Sequence, residues 1–405
     1  MKSTKAYDVR LALLLLCIAF AACVRPAQAQ ISRIEHPDTT AGNFFGDAVA
    51  VDGGRVVVGA SAENVCGENS GAAYIFQWDD TLHTWQQEAK LAADDCEEGR
   101  FFGRTVAISK DRVLIGSAQP FFAEAVSNAA YVFHLDSLSG KWVQEARLTG
   151  DPGVEEGAFA SSVSLDGDRA LVTTSGDVSD GHYSGAAYVF DRDPETGTWN
   201  RSARLVGSGS LSAGVFGGSG DLEGDRLAVA ASTYFRYKPG SVYIFERDPA
   251  SDSWREVQRI PKVDDFFISL ALDGGHLLIG ESRDGPRKSG IATLYTRFSS
   301  GAWKLTETLR PEVPYDDGGF GAEVSLCGNR ALVVGYDEQL GLNFNIDRVV
   351  YSYLYDPATV HWNLERVFDI GEVAFGSAIA QNDRWAVIGE ASQQKPGAAF
   401  TVRLY

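Results

Sequence analysis

The side chains with chemistry to offer fall into three groups: six histidines, a series of acidic clusters, and aromatic residues that stand beside cationic ones. His36, His83, His134, His182, His276 and His361 share no spacing, and none sits in the H-E-x-x-H pattern that places two zinc ligands on one helical face. No G-x-S-x-G elbow occurs, and the glycine-rich stretch Gly207–Gly220 lacks the Gly-Lys-Ser/Thr that cradles a phosphate. The acidic clusters are Asp94, Asp95, Glu97 and Glu98, then Asp151, Glu155 and Glu156, then the pairs Asp264-Asp265 and Asp316-Asp317. They suit a metal or a cationic ligand, and equally serve as solvated loops that carry charge. No catalytic constellation emerges, and no cofactor is expected.

The third group looks like a recognition surface. It comprises Phe121 and Phe122, His182 and Tyr183, Tyr234, Phe235, Arg236 and Tyr237, the basic pair Arg283 and Arg287, and Phe344 within a long segment over 336–347. Aromatics beside arginine in exposed loops are the composition that binding surfaces favour, although such rings also fold back over their own scaffold.

Those segments have to be held by something, and the chain shows what. FGDAVAVDGGRVVVGAS from Phe45 recurs as FGRTVAISKDRVLIGSA from Phe102, with further copies opening at Phe159, Phe216, Phe267, Phe320 and Phe375. Successive steps are 57, 57, 57, 51, 53 and 55 residues. A period in this range defines a repeat architecture. Two further landmarks keep step. Trp85, Trp142 and Trp199 each follow their repeat Phe by 40 residues, and GAAYIF, NAAYVF, GAAYVF and GSVYIF end at Phe76, Phe133, Phe190 and Phe245.

Each repeat reads as four strands: an alternating stretch after Phe-Gly, a tight Asp-Gly-type turn, an apolar second strand, the Ala-Ala-Tyr strand, and a charged, amphipathic fourth strand opened by Trp. Seven such units predict an all-β fold, a seven-bladed β-propeller of four-stranded antiparallel blades over residues 30–405. The last repeat stops after its third strand, and 31–38 (ISRIEHPD) supplies the missing fourth: Arg33-Ile34 matches Lys90-Leu91 and Arg204-Leu205. The ring is therefore expected to close through its N-terminal strand. The periodic Phe and Trp residues serve every blade alike, which assigns them to packing between sheets.

Alternating strand directions bring the 2–3 and 4–1 connections out on one face, where binding is expected, and the short hairpins out on the other. Cys66 and Cys96 then share the loop face of the first blade, which predicts a disulfide between them; Cys327 falls in a hairpin on the opposite face and is expected to stay free.

The first residues read as an address. Lys2, Lys5 and Arg10 precede the apolar run Leu11–Ala22, and Ala27-Gln28-Ala29 forms a cleavage site, so 1–29 is expected to be a signal peptide. Phe20-Ala21-Ala22-Cys23 is an alternative, a lipobox that would anchor the chain through Cys23. The formal charge of −18 becomes −21 without the leader, which argues against nucleic acid or anionic lipid as a partner.

Phe-Gly at the start of strand one and Gly59-Ala60-Ser61 after strand two resemble the FG-GAP repeat of integrin α-chain heads, and the repeat length and Ala-Tyr-Val-Phe element are most similar to a bacterial, calcium-free branch. That resemblance implies an exported module that binds a protein or glycan at the cell surface. The D-x-D-x-D-G loops that hold calcium in integrin-type repeats are replaced by tight turns such as Asp166-Gly167-Asp168, so no metal site is expected. A polysaccharide hydrolase or lyase with carboxylates near the central funnel, and a purely structural envelope protein, are the alternatives.

Secretion can be tested directly. N-terminal sequencing of the exported protein should begin at Gln30; a fatty-acylated N-terminal peptide starting at Cys23 would show anchoring instead.

Overall fold

A computed structural model describes residues 31–37, 41–118, 128–151, 157–176, 185–209, 215–232, 240–263, 268–311, 314, 318–337, 347–369, 375–392 and 394–404. It contains seven four-stranded antiparallel sheets, each in simple 1-2-3-4 order except the last. Blade one consists of Phe45–Asp52, Arg55–Ala60, Ala72–Asp79 and Thr84–Leu91. In blade seven, Phe375–Gln381, Trp385–Glu390 and Ala398–Arg403 are completed by Ile31–Glu35, which pairs with Ala398–Val402. The predicted propeller and its N-terminal closure are both present.

The core lies between blades. Seven apolar clusters occur among the described residues, and each draws its side chains from two neighbouring blades. This is why the second strand is apolar on both faces: Val56, Val57 and Val58 are completely buried, two of them toward one neighbour and one toward the other. The repeat Phe residues Phe45, Phe102, Phe159, Phe216, Phe320 and Phe375 are each at most 2 % exposed.

The glycine after that Phe has a specific cause. In blades one and two the chain bulges there, with Gly46 and Gly103 at φ +92° and +93°. The bulge presses backbone against backbone: a Cβ on Gly103 would lie 2.1 Å from the Ala72 carbonyl oxygen of blade one, and a Cβ on Gly59 would lie 1.9 Å from the Gly103 oxygen. The same contact closes the ring, because Gly389 and Gly397 of blade seven receive the Gly46 and Phe45 carbonyls.

Blade five departs from the expected pattern. Its first strand is Ile268–Asp273 and runs without a bulge, so Ile268 pairs with Glu281 as Phe45 pairs with Ala60. Ile268 therefore holds the register assigned from sequence to Phe267, which lies outside the described residues. The segment from Phe267 to the Asp-Gly turn is one residue shorter than in blade one, too short for the bulge.

Toward the rim a second contact recurs. In each of blades one to six, one residue of strand four is squeezed out of register: Glu88, Glu145, Ser202, Val257, Thr306 and Glu365. Where it is Glu it meets the arginine that opens strand two, as in Arg55 Nε to Glu88 at 2.8 Å and Arg112 Nε to Glu145 at 3.2 Å. The arginine also faces the next blade's Trp, with Arg55 5.8 Å from the Trp142 ring and Arg169 5.4 Å from that of Trp254. Blade seven has no bulged fourth strand and puts Trp385 in the arginine's place. Trp385 packs 4.7 Å from Trp78 and 5.1 Å from Trp85, while Trp85 Nε1 donates to Thr401 Oγ1.

On the hairpin face the turns are chained head to tail. The residue ending strand one accepts from a turn amide of the next blade: Asp52 from Lys110, Ser109 from Gly167, Asp166 from Gly224, Glu223 from Gly274, and Asp273 from Gly328. Cys327 holds this position in blade six and is a free thiol, as expected. Burial, with Asp273 and Asp383 nearby, pushes it up to about 11, so it stays protonated. Asn382 Nδ2 closes the circle by donating to the Gly53 carbonyl at 3.1 Å.

The blade contact makes a discriminating prediction. Gly103→Ala should cost about 2–4 kcal/mol, because its methyl meets neighbouring backbone that cannot retreat alone. Gly53→Ala, at φ +52° with open space around it, should cost only about 1 kcal/mol. Equal losses in urea unfolding would remove the docking role from the Phe-Gly bulge.

Candidate recognition face

Blade one shows how the loop face is built. Its 2–3 and 4–1 connections carry Cys66 and Cys96, and these form the predicted disulfide with Cα atoms 6.0 Å apart. Closing a loop with a sequence separation of 30 contributes about 3–4 kcal/mol by chain entropy. Backbone bonds reinforce the staple: Gly99 N to Glu68 O at 2.8 Å, Phe101 N to Asn69 O at 2.9 Å and Phe102 N to Ser70 O at 3.1 Å. Ser70 Oγ in turn accepts from the amides of Val65 and Cys66. The loop is pinned in one shape before any ligand arrives, which lowers the entropic cost of binding.

Beneath this loop lies a polar cluster centred on the buried Glu63, with the strand-three Tyr74 and the cation opposite it on strand four, Lys90. Glu63 accepts from Tyr74 Oη at 2.8 and 2.9 Å, pairs with Lys90 Nζ, and lies 3.2 Å from Nε2 of His36. The His36 ring meets Phe45 and Tyr74 edge-on, both at 5.1 Å. His36 follows the closing strand, so the cluster fastens the end of blade seven to blade one. Burial alone would raise the Glu63 pKa, but hydrogen bonds from His36, Lys90 and Tyr74 outweigh it and bring it to about 2.

The central channel has a volume of about 770 Å³ and is walled by the first strands. Two of its carboxylates are driven toward neutrality by burial, Asp221 to about 6 and Glu323 to about 7. Both hold blades together. Asp221 of blade four accepts from Ser164 of blade three and from the Leu272 amide of blade five, each at 2.8 Å, and Glu323 of blade six accepts from Ser269 of blade five at 3.2 Å. Among the described residues, no group of three or more His, Cys, Asp or Glu is placed to hold a metal ion.

Of the residues read as a recognition surface, Arg283 and Arg287 lie in the 2–3 connection of blade five, and both are exposed. Phe121, Phe122, His182, Tyr183, Tyr234, Phe235, Arg236, Tyr237 and Phe344 lie outside the described residues. Sequence reasoning passed over Asp79, Asp136, Asp193, Asp248 and Asp356, which stand at the end of strand three or, for Asp193, just past it. Each caps the 3–4 turn, as in Asp136 accepting from Leu138 N at 2.8 Å, and their recurrence at one repeat position was the available signal.

Comparison with known proteins fits this architecture. The FG-GAP repeat model matches residues 29–76, 85–133 and 142–190, which is consistent with the first repeats of this β-propeller being FG-GAP repeats. Each matched unit ends with the Phe of strand three, and the first unit contains the closing strand, so the family's repeat is offset from the blade by one strand. No curated protein matches the chain. Among solved structures, the WD40 repeats of RRP9 align at 11% identity and a TM-score of 0.56, covering 93% of this chain and 100% of that one. Saccharomyces cerevisiae Sqt1 aligns at 9% identity and a TM-score of 0.48, over 92% and 98%. At such identity the RRP9 likeness speaks for the propeller fold alone.

The Glu63 cluster sets an acid limit on stability. With the carboxyl at about 2 in the folded chain and 4.5 as its ordinary value, its contribution is complete above pH 4.5 and is lost as pH falls toward 2. Glu63→Gln should lower stability by on the order of 2–3 kcal/mol at pH 7 and flatten the loss between pH 4.5 and 2. A variant whose acid unfolding parallels that of the parent protein would contradict this.

Proposed function

We propose that the protein is an exported binding module whose 2–3/4–1 face engages a protein partner at the cell surface. The observation that carries this reading is a division within the repeat. Strands, turns and blade contacts recur around the ring, whereas the loops of one face differ in length and chemistry from blade to blade and are stapled in blade one. A scaffold that repeats while one face varies is built to present that face. The FG-GAP repeats support a protein partner, and the leader-like N-terminus and the disulfide support an oxidising compartment. For the rival, a polysaccharide-acting enzyme, the channel offers Asp221 and Glu323, but both carboxylates are already occupied in joining blades.

The test is a pull-down from native cell surfaces with immobilised protein. Replacing 119–127, 177–184 and 233–239 with short Gly-Ser turns should abolish capture, while substitutions at the exposed hairpin tips Leu82 and Leu138 should leave it intact. Capture that survives loop replacement would refute the assignment of the face.

A further inference from the structure

The 2–3 connection of blade five differs from its counterpart in blade one. Where blade one exposes Asn64 and Glu68 and keeps Glu63 buried, blade five presents Arg283, Arg287 and Lys288, all three exposed. The segment is tightly held: Asp284 N donates to Glu281 O at 3.2 Å, Lys288 N to Gly285 O at 3.2 Å, and Gly290 N to Asp284 O at 2.8 Å. Its one acidic side chain, the half-buried Asp284, accepts from Gly285 N at 2.5 Å through Oδ1.

Two further features concentrate positive charge there. Arg287 and Lys288 adopt consecutive left-handed backbone conformations, φ +60° and +56°, at a cost of about 1 kcal/mol or more each in residues that have a Cβ. Arg310, exposed at the end of strand four, brings Nη1 to 3.0 Å from where a Cβ on Gly285 would stand, so the glycine makes room for a fourth cation. Like charges gathered on one loop repel each other, and a chain of net charge −18 has no general surplus of cations to place there. Charges beyond roughly 8–10 Å are screened at physiological salt, so a ligand at this loop feels chiefly the side chains of the loop and its immediate neighbours.

Resting on the reading of this face as a protein-binding surface, we propose that the blade-five loop, with Arg283, Arg287, Lys288 and Arg310, is the docking point for an acidic segment of the partner protein. Guanidinium groups match carboxylates in two-pronged hydrogen bonds, and three of the four cations are arginine. Residues 282–290 contain no aromatic ring on which a sugar would stack, which favours a peptide over an acidic glycan.

The probe is a fluorescein-labelled octaglutamate peptide, followed by anisotropy, with a sulfated heparin oligosaccharide as the second ligand. The peptide should bind, weaken several-fold as salt is raised through the physiological range, and lose at least tenfold in affinity in the Arg287→Glu/Lys288→Glu variant. The milder Arg287→Ala/Lys288→Ala variant should bind more weakly with an unchanged melting temperature. A fall in melting temperature with peptide binding unaffected would make the cations structural and overturn the proposal. Binding of heparin but not the peptide would overturn it in favour of a glycan. Failure of the peptide while the cell-surface pull-down still captures a loop-dependent partner would sink this inference and leave the general reading standing; failure of both would sink both.

Discussion

Everything in this ring depends on how closely one blade's backbone can approach the next. The Phe-Gly bulge of one blade lies against the glycines flanking strands two and three of the blade before it, at distances that leave no room for a Cβ. That approach lets the repeat Phe enter the seam and complete an apolar cluster shared by two sheets. A single blade has no core of its own, so at most seams the glycine contact and hydrophobic burial operate together. The Arg–Glu–Trp contacts at the rim and the chained hairpin turns then fix the splay between neighbouring blades.

Ring closure uses the same contact with different reinforcements. Blade seven borrows its fourth strand, Ile31–Glu35, which pairs with Ala398–Val402 without a bulged residue. Trp385 fills the space left open, and His36 carries the chain onward into the Glu63–Tyr74 cluster. Because this seam joins residues from the two ends of the chain, its polar lock includes His36 from the closing segment.

How much of this was legible in the sequence follows from what recurs. Phe-Gly, Ala-Ala-Tyr and Trp recur in most blades because the seams share one packing scheme, so blade number, strand order and closure could all be read. The strand-four bulge recurs in geometry, but its residues are chemically unlike, Glu88 beside Ser202 and Val257, and so leave no motif. The His36–Glu63 pair occurs once, at a unique seam, and a single histidine offers periodicity nothing to detect. Ile268 was misaligned because a missing bulge and a missing residue look alike in sequence. Loop composition indicated Arg283 and Arg287 as surface residues, whereas the left-handed backbone that displays Arg287 is set by hydrogen bonds within the loop.

The chained hairpins have a consequence for how such rings arise and vary. In blades one to five the turn accepts from its successor, and each seam is written in residues of two adjacent blades, so a blade copied whole brings with it both halves of the joints it needs. Gene duplication can therefore lengthen the array without redesign, and the blades can drift apart in their loops while the joints hold them in register. What sets the final count is the joint that receives no fresh copy: the seam where Asn382 reaches Gly53 and the N-terminal strand meets Ala398–Val402. Blade number is thus constrained at one joint, while the loops of the opposite face are left free to vary.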